Sequence, residues 1–568
     1  MATTIGRDDD APWVPKLILC LRHYSAATFA SDAVAGLTVG LVALPLAMAF
    51  AIASGVPPQS GIYCAIVAGF LISALGGSRS QIGGPTGAFV VVVGGIVAKH
   101  GLDGLFTCTL MAGVVLVLLG LTGLGTAVKY IPRPVVIGFT NGIAVLIAST
   151  QVKDFFGLAI SAVPGDFLGR LQAIGSHWQS LSWPATVTAT SALLGMLLVR
   201  RFKPSIPGTV LALIAGTTVA WGLGLPVETI ETRFGGIPGG WPHVVVPHLR
   251  PDLVLPLLSP TFTVAMLGAI ESLLSAVVAD RMSGDRHNPN VELFAQGVAN
   301  IASPLVGGLP ATGAIARTAT NIRSGAKTPV AGMVHALTLL IIVLVAAPLA
   351  KHIPLCVLAA ILMVVSYNMG EWGEIPDILK LSRGDITVWV ITFSLTVFAD
   401  LTVAVEAGMI LGALLYIRKV TITTTVSRVT PDYVAAGVVH SLQSNPIPEG
   451  VVVFRIHGPF LFGATDKLAA IEENLRDLPA IVVLRLRNMT AIDATGLHAL
   501  EHLADRLQAS GRHLVLCGMR DQPAQLMEQA EFHEHIGEAN LQPHLAAGLA
   551  RAREILASAP VRPLRRFA

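Results

Sequence analysis

From Phe29 to Ile417 the chain runs through one apolar stretch after another, each about 20 residues, the length that crosses a hydrocarbon core. In lipid the backbone has to satisfy its own hydrogen bonds, so such a run folds as a packed set of helices. Composition agrees: 13% of residues are charged and mean hydropathy is +0.68, against about 25% charged in soluble domains. Beyond Ile417 charged residues return at soluble density. A net charge of +3 gives no reason to expect a nucleic-acid partner. The opening "MATTIGRDDDAPWVPK" lacks the basic start and short apolar core of a secretory leader, so none is expected. The five cysteines (Cys20, Cys64, Cys108, Cys356, Cys517) follow no metal or disulfide spacing and read as small buried hydrophobes; no metal or cofactor is expected.

Fourteen apolar segments start near residues 31, 60, 83, 105, 131, 185, 207, 259, 291, 311, 329, 353, 384 and 400. Loop charge tests this division. With a cytoplasmic N-terminus, every second loop is basic: Arg79; Lys129 and Arg133; Arg200, Arg201 and Lys203; Arg281 and Arg286; Lys327; Lys380 and Arg383; then Arg418 and Lys419. The short opposite loops are nearly bare, and only the longer ones carry a few cations such as Lys153, Arg170 and Arg233. Both termini are therefore expected in the cytoplasm.

One phrase occurs twice. "GGPTGA" starts at Gly83 and "GGLPATGA" at Gly307, opening the third and tenth segments. A glycine pair and a proline do not continue a helix, so each phrase marks a helix that starts partway through the bilayer. Two sevens place the phrases at equivalent positions, and an odd number inverts the second half. Interrupted helices at matching places in inverted halves point to a midplane binding site. Helix N-termini present unpaired N–H groups and partial positive charge, which suits an anion. The predicted contact residues are Gly84, Pro85, Thr86 and Gly87 in one phrase and Ala311, Thr312, Gly313 and Ala314 in the other.

Charge inside a span is costly and usually functional. Glu271 lies mid-segment in "TFTVAMLGAIESLLSAVVAD", with Ser275 one turn on, and Arg317 follows the second phrase. An ionised Glu271 would cancel Arg317; a protonated one would leave Arg317 and two helix ends to attract an anion. Glu271 and Ser275 are therefore the predicted proton-coupling residues, although a purely structural Glu271–Arg317 ion pair uses the same two groups. Asp32, Asp280, Asp400 and Glu406 fall near segment ends and read as capping or solvated groups, and His335 as a helix-packing residue.

These residues resemble the sulfate permease (SulP) family over roughly 20–556, on "DAVAGLTVGLVALPLAMAFAIASGVPPQSGIYCA", "GGPTGAF", "GAIESLLSAVVAD" and "ARTATNIRSGAKTPVAG". The resemblance implies a polytopic α-helical membrane protein of 14 spans as 7+7 inverted repeats. A core domain (spans 1–4 and 8–11) would move as an elevator against a gate domain (5–7 and 12–14), in a homodimer of a bacterial inner membrane. It also places the substrate between spans 3 and 10, with Arg317 and Glu271 at the family's arginine and acid. Many members carry a substrate-facing glutamine where this chain has Leu46 in "PLAMAF", and sodium-coupled bicarbonate members carry a second acid where it has Leu267. With "FTNGIAV…QVKDFFGL", these features most resemble the C4-dicarboxylic acid branch. The function so implied is proton-coupled uptake of succinate, fumarate or aspartate; the alternative is a bicarbonate, sulfate or chloride transporter or exchanger.

After the last span, short β-branched strands alternate with helices, which indicates a compact α/β unit. It resembles the STAS domain, with "AIDATGLHAL" at that domain's Asp-Ser-Ser/Thr-Gly turn: Asp493, Ala494, Thr495, Gly496. Ala494 stands where relatives are phosphorylated, so that switch is absent and a regulatory or dimer-stabilising role, with a possible cytosolic protein partner, is implied. The domain division expected is 1–28 cytoplasmic segment, 29–420 membrane domain, 421–433 linker, 434–558 STAS domain and 559–568 basic tail near anionic lipid. No nucleophile–base constellation is present in the spans, and no enzymatic activity is expected.

Overall fold

The computed structural model describes residues 13–22, 24–125, 132–160, 163–203, 207–237, 239–240, 251–399, 401–429, 446–468, 471 and 475–558. The chain divides into two compact units, Met1–Gly412 and Ala413–Ala568. The division falls inside the last apolar helix, slightly before the expected boundary at 420.

In the first unit the helices are α1 (Lys16–Leu21), α2 (Ala26–Ala53), α3 (Pro58–Leu75), α4 (Gly87–Leu121), α5 (Arg133–Phe156), α6 (Phe167–Ser176), α7 (Trp183–Phe202), α8 (Gly208–Gly222) and α9 (Ile230–Phe234). After them come α10 (Leu258–Ser283), α11 (Pro289–Ala302), α12 (Ile315–Arg323), α13 (Val330–Ala350), α14 (Leu355–Met369), α15 (Ile375–Ile378), α16 (Arg383–Phe398) and α17 (Leu401–Thr423). Two short strands, β1 (Gly83–Gly84) and β2 (Thr312–Gly313), lie in the glycine phrases. Among the described residues, seven helices are individually long and apolar enough to cross a membrane. The fourteen expected segments correspond to helices once α4 is divided at Gly101, whose φ of 69° breaks it into the third and fourth segments. Among the rest, α12 is only nine residues long because the second glycine phrase occupies the start of its span.

Helix ends follow local chemistry. Ser25 caps α2 by accepting from Thr28 N–H, prolines open α3 and α5, and α5 and α10 end on left-handed Gly157 and Gly284. Packing then sorts the helices into two groups. α2 packs chiefly on α13 and α3, α4 on α11 and α10, and α12 on α10 and α2. A separate set joins α5 to α16 and α14, and α7 to α8 and α14. These are spans 1–4 with 8–11, and 5–7 with 12–14, the core and gate division that the resemblance implies. Small residues allow the closest approach: a Cβ on Gly297 of α11 would lie 2.6 Å from the Gly113 carbonyl of α4. Without a hydrophobic drive between helices in lipid, such backbone contact supplies dispersion attraction instead.

The second unit holds one five-stranded sheet in the order β3-β4-β5-β6-β7, with β3 (Thr425–Arg428) antiparallel and the rest parallel: β4 (Val451–Phe460), β5 (Ile481–Ile492), β6 (His513–Cys517) and β7 (Leu541–Gln542). β3 corrects the expected linker: "TVSR" is an edge strand paired with β4, because its amides find partners there and not in water. Helices α18 (Ala494–Ala509) and α19 (Asp521–Gln529) share one apolar layer with the sheet. After the short α20 (His533–Ile536), α21 (Leu545–Ser558) covers the other face. Of the helix expected at "ATDKLAAIEENLRDL", the described residues are 3₁₀ over Phe462–Leu468 and Leu475–Asp477 and α-helical at Ile471 between them. Asp493 Oδ2 takes the Phe462 amide at 3.0 Å, which fixes the chain's entry in a tighter turn. The basic tail lies outside the described residues.

Candidate anion site at the crossing of the two glycine phrases

The two phrases meet. β1 and β2 pair antiparallel with Gly83 opposite Gly313 and Gly84 opposite Thr312. From that crossing α4 leaves at Gly87 and α12 at Ile315, and neither N-terminus is capped by a side chain. Their first amides therefore keep donor capacity, and both helix ends carry partial positive charge at one place.

Arg317, the third residue of α12, is 3% exposed. Its Nη2 donates to the Pro85 carbonyl at 2.6 Å, so the guanidinium of the second phrase's helix rests on the first phrase. The other terminal nitrogen, Nη1, is buried without a protein partner. Gly84, at φ +140°, is what leaves room: a Cβ there would stand 2.8 Å from Nη1. A buried, charged N–H group without an acceptor is the natural donor to an anion.

Glu271 enters from α10. Its Oε2 accepts from the Thr86 hydroxyl at 2.8 Å. Glu271 and Arg317 thus bind adjacent residues of the first phrase, Thr86 and Pro85, and neither bonds the other directly. The structural ion pair is not formed; the arrangement instead sets an acid and a cation on either side of one turn.

Thr312 and Gly313 are held by Ser272: its hydroxyl lies 2.8 Å from Thr312 Oγ1 and accepts the Gly313 N–H at 3.1 Å. Thr312 also donates to the Gly268 carbonyl at 3.1 Å. Asn300 grips Ala311 from both sides, accepting its N–H and donating to its carbonyl, each at 2.8 Å. Ser272 and Asn300 escaped the sequence reading. Their signal was an uncharged polar residue inside an apolar helix, which is weaker than a charge. Ala314 is buried and receives no side-chain cap; its N–H donates to the Ile82 carbonyl at 2.8 Å. Gly87 backs on the gate-side helices, since a Cβ there would meet Met369 Sδ at 2.6 Å and Ile147 Cδ1 at 3.1 Å.

Ser275 turns elsewhere. Its hydroxyl donates to Thr318 Oγ1 at 3.1 Å, and Thr318 in turn accepts the Ile82 N–H at 3.0 Å. It therefore braces the start of β1 and makes no hydrogen bond to Glu271. Leu46, in α2 beside Pro45, is buried in the apolar core. Gln81 and His335, both buried, have no protein partner at either amide atom or either ring nitrogen. A Cβ on Gly313 would run into Gln81 Nε2, and one on Gly69 would touch both the Gly83 carbonyl oxygen and His335 Cε1. Both side chains thus adjoin the crossing.

The described peripheral acids each hold a partner away from the crossing. Asp32 accepts from Lys327 N–H, Thr328 N–H and the Thr328 hydroxyl, tying α2 to the entry of α13. Asp280 binds His287, and Glu406 accepts from Ser259. Asp400 lies outside the described residues. In the second unit Asp493 is the N-cap of α18, accepting the Gly496 N–H at 2.8 Å. Thr495 is exposed beside it. A Cβ on Gly496 would collide with the Phe460 carbonyl, so that glycine is a packing requirement.

Residues 29–392 match the model of the Sulfate permease family, and 444–548 match the STAS domain. The chain belongs to the sulfate permease family. A putative sulfate transporter of Bacillus subtilis, YvdB, is 39% identical over 531 residues, covering 92% of this chain and 98% of that protein. The bicarbonate transporter BicA of a Picosynechococcus strain is 30% identical over 520 residues, covering 89% and 91%. The fold also matches the overall structure of SLC26A9 with a TM-score of 0.84, over 96% of this chain and 93% of that one, at 18% identity. The chain is accordingly a multi-pass membrane anion transporter with a STAS domain. These relatives are named for sulfate and bicarbonate, so the C4-dicarboxylate branch expected from the sequence finds no support among them, and the inorganic anions held as its alternative move ahead.

Proposed function

We propose that the protein is a secondary carrier of small oxyanions, with bicarbonate or sulfate as the cargo class. The observation that carries this reading is the unpartnered Nη1 of buried Arg317 at the crossing of two uncapped helix ends. Pro85, Thr86, Thr312 and Gly313 supply the surrounding backbone and hydroxyl groups, Gly84 the clearance, and Glu271 the charge that an incoming proton neutralises. Anion and proton then enter together at little net change in buried charge, which is the condition for symport. Leu46 gives one reason to keep C4-dicarboxylates as the second reading, because an apolar wall suits a carbon chain. In this reading the protein works as a homodimer in a bacterial inner membrane with both termini in the cytosol, as the alternation of basic loops supports.

Purified protein in proteoliposomes should take up labelled sulfate or bicarbonate at pH 7.5, with succinate a poor competitor and Arg317→Gln inactive. Uptake of succinate alone would restore the dicarboxylate reading. Uptake of none of the three by well-folded protein would overturn both.

A further inference from the structure

α11 carries polar side chains at Glu292, Gln296 and Asn300, and Ser303 follows in the 3₁₀ turn Ser303–Val306. Steps of four, four and three residues put all of them on one face, and each is at most 1% exposed. Polar groups inside a span are costly unless they are bonded. Here the bonds run chiefly to main chain of the two glycine phrases and of the turn before the first.

At one end, Glu292 Oε2 accepts the Gly77 and Ser78 N–H groups at 3.0 and 3.1 Å, in the turn that leads from α3 toward the first phrase. Its Oε1 accepts from Gln296 Nε2 at 3.0 Å, which holds the carboxylate in line. The turn comes so close that a Cβ on Gly76 would stand 2.9 Å from Oε2. At the other end Asn300 grips Ala311, and Ser303 Oγ donates to the Leu309 carbonyl at 2.6 Å, both within the second phrase. One helix, about 12 Å long from Glu292 to Asn300, is thus fastened to both phrases. The phrases also bond each other, at β1–β2 and where Thr318 and Asn321 of α12 meet the Ile82 N–H and the Ser80 carbonyl. Three bodies fastened pairwise make a rigid triangle. Among them α11 alone contributes no predicted contact residue.

We propose that α11 is the ruler of the anion site: Glu292, with Asn300 and Ser303, sets the two helix tips so that Arg317 and the first amides of α4 and α12 converge on one ion. This rests on the crossing being the anion site. Glu292 is a positioning residue, since its main-chain bonds end at Ser78, five residues before Gly83. Site geometry held to about 0.5 Å is what such a brace supplies.

Uptake by proteoliposomes, with whichever of labelled sulfate, bicarbonate or succinate the wild type carries, separates positioning from bulk stability. Glu292→Gln keeps the shape but presents an NH2 group where an acceptor is needed. KM should rise about tenfold or more, with a smaller change in maximal rate. Ser303→Ala should raise KM about threefold. The two positions are about 16 Å apart along the helix and share no partner, so their effects would ordinarily multiply. In a ruler, releasing either end opens the triangle, and the double variant should stay near the KM of Glu292→Gln alone. Asp32→Asn, which weakens a buried acid's hold on Lys327 and Thr328 in the same helix group, should lower the melting temperature and leave KM unchanged. If Glu292→Gln does not fold, Gln296→Leu, which removes only the Nε2 donor to Glu292, takes its place in the cycle. Effects that multiply, a wild-type KM in a folded variant at 292 or 296, or an equal KM shift in Asp32→Asn would overturn the proposal. Full uptake by Arg317→Gln would instead overturn both the ruler and the site it serves.

Discussion

The two glycine phrases are alike as backbone and unlike as chemistry. The first leads into the 35-residue α4 and contributes no ionisable side chain, only the Pro85 carbonyl and the Thr86 hydroxyl. The second opens a helix of nine residues, and its half of the molecule supplies Arg317, Glu271, Ser272 and Asn300. Inverted repetition therefore built a symmetric cradle from main chain, while the charged and clamping groups accumulated on one side. Symmetric backbone makes the pocket; asymmetric side chains decide what it holds and what drives it.

The largest test of that asymmetry is Arg317→Gln, which removes the one buried cation of the crossing. Initial anion uptake in proteoliposomes should fall by about 100-fold or more, in the range measured when one member of a buried charged pair is truncated. A loss below tenfold would mean that the helix ends alone hold the anion. Next, Glu271→Gln fixes the neutral form. Wild-type uptake should rise as external pH falls, since a protonated Glu271 no longer cancels Arg317; the variant should transport at a rate indifferent to a pH gradient. A variant that still follows the gradient would relocate proton coupling to another group.

A matched pair of glycines compares the phrases directly. Gly84→Ala puts a Cβ 2.8 Å from Arg317 Nη1 at φ +140°, whereas Gly307→Ala meets nothing within 4 Å and bears only the cost of φ +68°. Uptake should drop roughly tenfold or more in the first, and Gly307→Ala should show only the ~1–2 kcal/mol of a left-handed alanine, read as a lower melting temperature in detergent. Equal effects would remove the special role given to Gly84. Asn300→Leu leaves the Ala311 amide and carbonyl without their partner and should destabilise by about 1–3 kcal/mol, with uptake falling alongside.

The smallest effect is expected far from the crossing. In the second unit the hydrogen bond to Asp505 holds the His535 imidazole above its ordinary range. That stabilisation is complete below pH 6.5, the unperturbed histidine value, and fades as pH rises through the elevated one. The pair is largely exposed, so Asp505→Asn should cost no more than about 0.5 kcal/mol at pH 6 and nothing at pH 9. Transport should not change.

Much of the site was legible because membrane sequence is unforgiving of exceptions. A glycine–proline phrase inside an apolar run, or a carboxylate and a guanidinium in lipid, stands out without any structure. Arg317, Glu271 and both phrases were found that way. Ser275 was placed with Glu271 by helical spacing, yet spacing does not decide where a hydroxyl points, and Thr318 from another helix took it. Ser272 and Asn300 were invisible for a related reason: a lone uncharged polar residue in a span is common, and its partner is set by packing between distant segments. The same holds in the soluble unit, where pairing with β4 made a strand of a presumed linker. The cargo was the least legible part, since a single change such as Leu46 alters the pocket's polarity without specifying which anion fits.

The antiparallel contact between Gly83 and Gly313 has a mechanical consequence. Separating the two helix tips would leave buried main-chain donors and acceptors without their partners, at about 1–3 kcal/mol for each group. The floor and ceiling of the pocket are thus one part. If the protein carries its anion as proposed, the pocket is expected to move as one part past the α5–α16 assembly, with the barrier to turnover at that seam.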